Sequence, residues 1–557
     1  MFNKILNYFN DAKNTYIIFF FIVVFLCAVK LPALLNTDIQ PWDEGMYATR
    51  VLSIAENGDL LDQSSHSVGK FYSGSHPPLL IWIGYYSSII FGLNSVTLKL
   101  IPFVFGILCV LILILIGKNL FNPAAGIIAS LVFTGNIIFN VFSKRFQFDI
   151  PYSFFILLSF YYFLLYLDRK RTLYNVIGGF VFGLCLMVKI LVGLYIPIII
   201  FIFYLTAGKK SNYKFLDIFI FTITGIALAL PWHLYMLASY GSEFTDYFLK
   251  FHIIDRAFTG VEHNTKSSGV LYYFNYILSI FPFSILIFIS LIKDLKNLKQ
   301  LESKKIFLII WFLTGLTIIT LFRTRLEVYI LLILAPGSLM LAEYLSNLSR
   351  ISLREKSLLV FLTTLNILWS LTLFIRDNIQ YKEFVFKNIF NASTVIIIAA
   401  IVIFFTLKFL INKLSVINFY YLFIFLFCIS INVLFLAKIP EWENTYEISK
   451  VKNLIESSGR KEIIYIGSNY RANPQLSFYF DGIDLNWGKS RFNFELLDTK
   501  DGNEIIKSKL SNLETGQGNV IVEKDNINRT EYPESINFIP GEFKLIYKTK
   551  GYELYQK

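Results

Sequence analysis

Apolar stretches of about 20 residues, the length an α-helix needs to cross hydrocarbon, alternate with short polar segments over the first 440 residues of the chain. The stretches are continuous rather than alternating, which argues for helices and against a closed barrel. Spans are predicted at about 15–35, 97–117, 124–142, 151–167, 173–188, 190–207 and 215–236. Further spans follow at about 271–292, 306–322, 328–345, 357–375, 393–411 and 418–437, thirteen in all. A long segment, 36–96, separates the first two. Within it, Asp43 to Asn57 has the pattern of an amphipathic helix, with Tyr47, Val51, Ile54 and Ala55 on one face. Gly58 is placed to end that helix. Pro77 to Leu93 reads as a helix lying on or dipping into the bilayer. The pattern changes at Pro440. Strand-like runs then occur at Glu462–Gly467, Asn519–Glu523 and Phe543–Tyr547, with a helix at Glu447–Glu456. The expected fold is an α-helical polytopic membrane protein of about thirteen transmembrane helices, residues 1–440. A small extracytoplasmic α/β domain, 441–557, follows it.

Composition agrees. The chain has 557 residues, 55% hydrophobic and only 16% charged, against about a quarter charged in soluble domains. The net charge of +12 does not point to nucleic acid. Much of the basic excess lies in short loops, at Asp168–Arg171, Lys209–Lys210, Lys293–Lys305 and Arg350–Lys356. The positive-inside rule assigns these to the cytoplasm, and the same bias favours anionic headgroups. The N-terminus is then cytoplasmic, and an odd number of spans puts the C-terminal domain outside. The first apolar stretch is too long for a cleaved signal and lacks a small-residue cleavage site, so it reads as a signal anchor. Cys27, Cys109, Cys185 and Cys428 each sit in an apolar run, with no metal or disulfide spacing.

The informative charges are those this topology puts at the outer boundary: Asp43 and Glu44; Lys144, Arg145 and Asp149; Lys189; His252, Arg256 and His263; Arg323, Arg325 and Glu327. His252, Arg256 and His263 are expected in a long polar loop, and Arg323 and Arg325 at the end of a span. Ionisable groups close to hydrocarbon are costly and mark functional sites. Converging basic groups bind phosphate through charge-assisted hydrogen bonds, and a carboxylate beside them can serve as a general base. Each position also has a plainer role: Asp43 as a helix cap, Glu44 as a first-turn acid, the lysines and arginines as snorkelling side chains.

The order of the set is more specific than any member. Trp42-Asp43-Glu44-x-x-Tyr47-Ala48, Glu56-Asn57-Gly58-Asp59, Phe71-Tyr72 and His76-Pro77-Pro78-Leu79-Leu80-Ile81-Trp82 resemble the first outer loop of the type C glycosyltransferases. Within these, the likeness is to the aminoarabinose transferases and protein O-mannosyltransferases, which use polyprenyl-phosphate sugars. The resemblance continues through Arg145 to Asp149-Ile150-Pro151, Met187-Val188-Lys189, Pro231-Trp232, Phe251-His252 to Arg256, His263, Tyr272-Tyr273, and Phe322 to Tyr329 with Pro336. It covers most of residues 35–340 in order. It departs at His76, where aminoarabinose transferases usually carry Lys; a histidine there looks more like the mannosyltransferase side. A histidine can still donate to phosphate, with a pH-dependent charge.

The resemblance implies an inverting transferase. Asp43 corresponds to the loop-one catalytic aspartate and Asp149 to the second aspartate, with Glu44 a further catalytic candidate. Lys189, Arg256, Arg323, Arg325 and His76 are the expected phosphate ligands. Tyr47, His252, His263 and Tyr329 are additional site candidates. Asp43 would take the proton of an acceptor hydroxyl as it attacks the anomeric carbon. The basic groups would stabilise the departing lipid phosphate. No cofactor is assigned; a divalent ion between carboxylates and histidines has no compact ligand spacing behind it. The expected partners are a polyprenyl-phosphate-linked sugar at the outer leaflet of the plasma (inner) membrane and an envelope acceptor. Lipid A or another lipopolysaccharide component comes first, protein second. A transporter or lipid flippase is the rival from another class. It predicts charges near the midplane and inverted repeats, whereas the charges here gather at one boundary.

Overall fold

The structure is a computed structural model that describes residues 14–260, 272–273, 277, 284–346, 357–368, 405–406, 408–409, 420, 422–433, 447–467, 473–482, 492–498, 503–513, 518–523, 541–549 and 551–557. Helix α1 is Asn14–Leu35, α2 Asp43–Asn57, α3 Leu79–Phe91, α4 Ser95–Leu120, α5 Pro123–Thr134 and α6 Asp149–Arg169. Then come α7 Thr172–Val188, α8 Tyr195–Ser211, α9 Phe215–Thr245, α10 Ile285–Lys296, α11 Ser303–Leu321 and α12 Leu331–Ser346. Six helical segments among the described residues are long and apolar enough to cross a membrane. They are Asn14–Leu35, Ser95–Leu120, Asp149–Arg169, Phe215–Thr259, Ser303–Leu321 and Glu327–Ser346. Shorter apolar helices include Ser357–Leu368 and Leu422–Val433. The chain is a polytopic helical membrane protein. The expected span 393–411 falls almost wholly outside the described residues, and 271–292, 357–375 and 418–437 are described in part.

Three expected elements differ from the apolar pattern, each for a local reason. The span expected at 124–142 is two helices. α5 ends before Gly135, and Ile137–Phe142 restarts with Asn136 accepting from the amide of Ile138 at 2.8 Å. The side-chain amide of Asn140 donates to the Thr134 carbonyl at 2.8 Å, so the break keeps its backbone satisfied inside the bundle. The span expected at 190–207 is interrupted at its start. Lys189 is extended, a single turn Ile190–Gly193 follows, and α8 begins at Tyr195. The stretch that carries His252 and Arg256 is helical, not a polar loop. α9 bends at Gly241 (φ 51°) and runs into a π-helical segment, Asp246–Thr259, that stops at Gly260 (φ 81°). Phe248 and His252 are buried on it, and that buried face continues the helix past the bend.

Glycines set how closely the helices approach. Gly179 and Gly183 of α7 face Gly225 of α9. A Cβ on Gly183 would lie 2.7 Å from the Gly225 carbonyl oxygen, and one on Gly225 would lie 2.2 Å from the Phe182 ring and 2.7 Å from the Gly179 oxygen. Small residues allow this backbone contact where no hydrophobic force drives association. At one end of the bundle the basic loops converge. Lys304 pairs with Asp168 at 2.6 Å, Lys305 bridges Asp294 and Glu343 at 2.8 Å each, and Lys210 donates to the Leu301 carbonyl.

The C-terminal sheet consists of β1 Glu462–Gly467, β2 Asn493–Asp498, β3 Gly518–Glu523, β4 Lys544–Lys548 and β5 Tyr552–Gln556, in the order β2-β1-β3-β5-β4. β1 is parallel to β2 and β3, and β5 is antiparallel to β3 and β4. Helices α13 Ile448–Ser458, α14 Gln475–Tyr479 and α15 Asn503–Asn512 accompany it. The three expected strands and the expected helix are present. β2 and β5 have sequences without a clear alternation, Asn493-Phe-Glu-Leu-Leu-Asp498 and Tyr552-Glu-Leu-Tyr-Gln556, and pairing partners make them strands. Replacing Gly225 by Val should push α7 and α9 apart and cost about 1–3 kcal/mol, read as a lowered melting temperature in detergent; an unchanged melt would show that the contact is not tight.

Candidate active site

The amphipathic helix expected after the first span is α2, and it is far more buried than its pattern implied. Residues 44–54 are all buried, whereas Ala55 is exposed. Trp42 precedes it at φ 64°, ψ −132° and forms no side-chain cap. A non-glycine residue held at positive φ costs about 1–3 kcal/mol and persists only where its surroundings dictate it. The surroundings are those of Glu44. Its carboxylate is fully buried, with one oxygen accepting from the Phe146 amide at 2.8 Å and the other from the Gln40 amide at 2.8 Å. The ammonium of Lys99, also fully buried, lies 3.9 Å away and donates to Thr37 Oγ1 at 3.0 Å and to the Asp38 carbonyl. Glu44, expected beside Asp43 in a catalytic part, is thus held beneath the surface by these partners and lines neither cavity described below.

Arg50, one turn and a half further along α2, holds the opposite side of the loop. It donates to Gln63 Oε1 at 2.8 Å, the Ser73 carbonyl at 3.1 Å and the His76 carbonyl at 2.9 Å. Burial lowers its pKa to about 10, which leaves it charged at neutral pH. Nothing in the sequence singled it out except a lone arginine within Met46-Tyr-Ala-Thr-Arg-Val-Leu52.

Between these anchors opens a polar cavity of about 530 Å³. Asp43, Tyr47 and Trp42 line it from α2 and its approach, Arg145, Gln147 and Asp149 from the 145–149 turn and the start of α6. Tyr72 and His76 come from the loop, Lys189 from the break after α7, His252 and Arg256 from the π-helical segment, and Tyr272, Arg325 and Glu327 from further along. Asp43 is exposed to the cavity, whereas Asp149 is buried.

A second cavity, about 250 Å³ and lined mainly by apolar side chains, adjoins the first. His76, Lys189, His252 and Arg256 line both. Ile198 of α8, Phe248, Ile318 of α11, Phe322 and Leu332 of α12 make its walls, with Tyr329 among them. The rings of His76 and His252 lie 4.2 Å apart, and His252 Nε2 donates to the Tyr72 carbonyl at 3.0 Å. Burial, together with His252, Lys189, Arg256 and Arg50, holds the His76 imidazole well below the usual histidine range. His76 is therefore neutral at physiological pH and offers a hydrogen bond rather than the titrating charge expected. Burial and the carboxylates of Asp43 and Asp149 push the Tyr47 phenol well above its usual range, so it keeps its proton.

Most of the expected set converges, from segments up to about 280 residues apart. Arg323 does not: it is exposed and lines neither cavity, because its amide and that of Thr324 donate to the carbonyls of Ala257 and Arg256 at 3.0 Å. Lys144 is buried outside both cavities. His263 lies outside the described residues. Arg145 and Glu327 belong to the boundary set but had no assigned role. Tyr72 entered only through the Phe71-Tyr72 motif, and Gln147 carried no signal of its own, since uncharged polar residues are common in loops.

A sequence family described as dolichyl-phosphate-mannose-protein mannosyltransferase matches residues 75–235. Across the whole chain the likeness is structural. ArnT from Cupriavidus metallidurans bound to undecaprenyl phosphate superposes with a TM-score of 0.68 over 98% of this chain and 98% of that one, at 15% identity. The chain has the fold of the type C glycosyltransferases. The apo state of the same ArnT gives 0.61 over 96% and 97% of the two chains at 13% identity. An oligosaccharyltransferase from Archaeoglobus fulgidus tethered to an acceptor peptide gives 0.50 over 85% and 64%, again at 13%. An uncharacterized protein of Aquifex aeolicus (strain VF5) is 23% identical over 336 residues, 59% of this chain; the match spans 64% of that protein's own length. The likeness of fold to ArnT thus extends through the C-terminal sheet, beyond the reach of the loop-one motif.

Two outcomes test this description. Glu44→Gln weakens the hold on Lys99 and the two amides, so the melting temperature should drop by the equivalent of about 3–5 kcal/mol; an unchanged melt would return Glu44 to the catalytic candidates. His76, held neutral in the fold but ordinary when unfolded, leaves stability intact above about pH 6.5 and withdraws up to about 1.4 kcal/mol for each unit the pH falls below it. His76→Gln should flatten melting temperature against pH between 7.5 and 5.5, and a profile identical to the wild type would contradict the neutral assignment.

Proposed function

We propose that the chain is an integral membrane glycosyltransferase that moves a sugar from a polyprenyl-phosphate donor to an envelope acceptor, most concretely lipid A or another lipopolysaccharide component. One observation carries this reading: an acid-bearing polar cavity meets an apolar cavity at a boundary lined by Lys189, Arg256, His76 and His252. That division fits a ligand with an apolar tail, an anionic link and a polar head. Undecaprenyl phosphate, bound in the ArnT structure of the same fold, supplies the first two of these parts.

In this reading Asp43, accessible in the polar cavity, takes the proton of the acceptor as its oxygen attacks the anomeric carbon. The new carbon–oxygen bond forms as the bond to the lipid phosphate breaks, and the electron pair leaves on the phosphate. Attack opposite the leaving group inverts the anomeric centre. Lys189 and Arg256 stabilise the departing charge, with Arg325 further along the same cavity, in a site where fixed charges act more strongly than in water. His76 donates a neutral hydrogen bond. Asp149, buried in the wall of the same cavity, orients the acceptor or tunes Asp43. The chain spans the plasma (inner) membrane with its N-terminus in the cytoplasm. Residues 1–440 form the transmembrane domain, and 441–557 an extracytoplasmic domain above the site.

Protein O-mannosylation is the second reading. It is favoured by His76 in place of lysine and by the mannosyltransferase description of the family matching residues 75–235. Two donors separate the readings: purified protein is given undecaprenyl-phosphoryl mannose or undecaprenyl-phosphoryl aminoarabinose, and release of undecaprenyl phosphate is followed by mass spectrometry. Lipid A and envelope proteins are profiled in parallel with and without the chain. Asp43→Asn should lower turnover by about 10²–10⁴-fold without loss of folded protein. Near wild-type turnover would remove Asp43 as the base, and unchanged profiles in both fractions would sink the lipid and protein acceptors alike.

A further inference from the structure

The C-terminal sheet is joined to the loop that carries Asp43 through contacts too specific for a tether. Asp38, at the outer end of the first span, presents both carboxylate oxygens to this region. One accepts from the amide of Ser449 at 3.0 Å, and the other from the Tyr479 hydroxyl at 3.2 Å. Ser449 lies in the first turn of α13, whose own N-cap residue, Glu447, makes no side-chain cap. Asp38 therefore caps a helix of the distant domain, supplying from another segment the acceptor and the negative charge a helix N-terminus favours. The Tyr479 oxygen in return accepts from the amide of Ile39 at 3.1 Å.

The second contact falls inside the first turn of α2. A Cβ on Gly45, two residues after Asp43, would come within 2.5 Å of the Gln475 amide nitrogen and 2.9 Å of the Pro474 ring. Thr49 Oγ1, one turn on, donates to the Pro474 carbonyl at 3.1 Å as well as to the Gly45 carbonyl at 2.8 Å. Gln475 is itself tied to the sheet. Its side-chain amide donates to Tyr552 Oη at 2.9 Å and Asn473 Oδ1 at 3.1 Å, and Asn473 donates to Glu523 at 3.2 Å. Hydrogen bonds thus tie the 473–475 segment to β3 and β5, and the Thr49–Pro474 bond and the close packing of Gly45 join that segment to the backbone beside Asp43.

We propose that the C-terminal sheet is a positioning element of the active site: the Asp38–Ser449–Tyr479 latch and the Gly45–Gln475 contact fix the first turn of α2, and with it the direction of Asp43. This rests on Asp43 being the base. Asp38, Gly45 and Tyr479 touch no reacting atom and act through Asp43.

The test uses the full chain in detergent, with whichever of undecaprenyl-phosphoryl mannose and undecaprenyl-phosphoryl aminoarabinose is turned over. Asp38→Ala and Tyr479→Phe should each lower kcat about ten- to a hundredfold, the scale of a 1 Å misplacement, with the donor KM and the melting temperature nearly unchanged. Asp38→Asn, which still accepts from Ser449, should restore most of kcat. A wild-type kcat in both disruptive variants, with Asp43→Asn inactive, would overturn the latch alone. Wild-type turnover in Asp43→Asn would instead remove the base assignment on which the latch depends. A second measurement needs no donor: amide exchange over residues 43–49 should quicken in Tyr479→Phe, and unchanged protection there would equally overturn the proposal.

Discussion

The buried Glu44 carboxylate is the constraint from which the arrangement around the polar cavity follows. A carboxylate without exposure is tolerable only when its oxygens are saturated and a cation stands near. Here the amides of Gln40 and Phe146 and the ammonium of Lys99 meet that demand. Meeting it joins three segments that the chain keeps apart: the approach to α2, the turn before α6, and the start of α4. Asp43 is the neighbour of Glu44, and Asp149 follows Phe146 by three residues. Pinning Glu44 therefore brings both aspartates to one cavity, with Trp42 forced to positive φ as the local cost.

Around that cavity polarity is divided rather than mixed. Cations and a neutral histidine stand where the polar and apolar spaces join, and carboxylates stand on the polar side. The π-helical segment Asp246–Thr259 supplies both His252 and Arg256 to this boundary. A wider helical turn changes which side chains share a face, and such turns are frequent at functional sites. The amides of Arg323 and Thr324 pair with this segment, which joins the start of the next helical stretch to the same wall and leaves the Arg323 side chain outside. Arg325, two residues on, turns inward.

Much was legible because hydrocarbon imposes a strong rule. A run of apolar residues long enough to cross a bilayer leaves its backbone few alternatives to a helix, so α1, α4, α6 and α11 lie close to their expected bounds. The Asp43–Asn57 helix and its Gly58 stop were legible from periodicity and from glycine's freedom at φ 76°. The sheet was half legible: β1 and β3 are nearly continuous apolar runs buried on both faces, whereas β2 and β5 owe their extension to neighbours. The roles within the site were less so. Asp43 and Glu44 are adjacent acids in one motif, and sequence gives no means of telling the one that faces the cavity from the one that is sealed beneath it.

The amino-acid order by itself determined a polytopic helical protein, its basic loops, and a set of charges beside hydrocarbon whose order matches a glycosyltransferase loop. These are properties of single segments, fixed by length, periodicity and the cost of burying charge. Only the tertiary structure decided that Glu44 is sealed away from the cavity, that burial and neighbouring cations hold the His76 imidazole below its usual range, that Arg323 is left out, and that Asp38 caps a helix more than 400 residues away. Each of these depends on which groups from distant segments surround a side chain, and desolvation and hydrogen-bond partners exist only once the chain has closed around it.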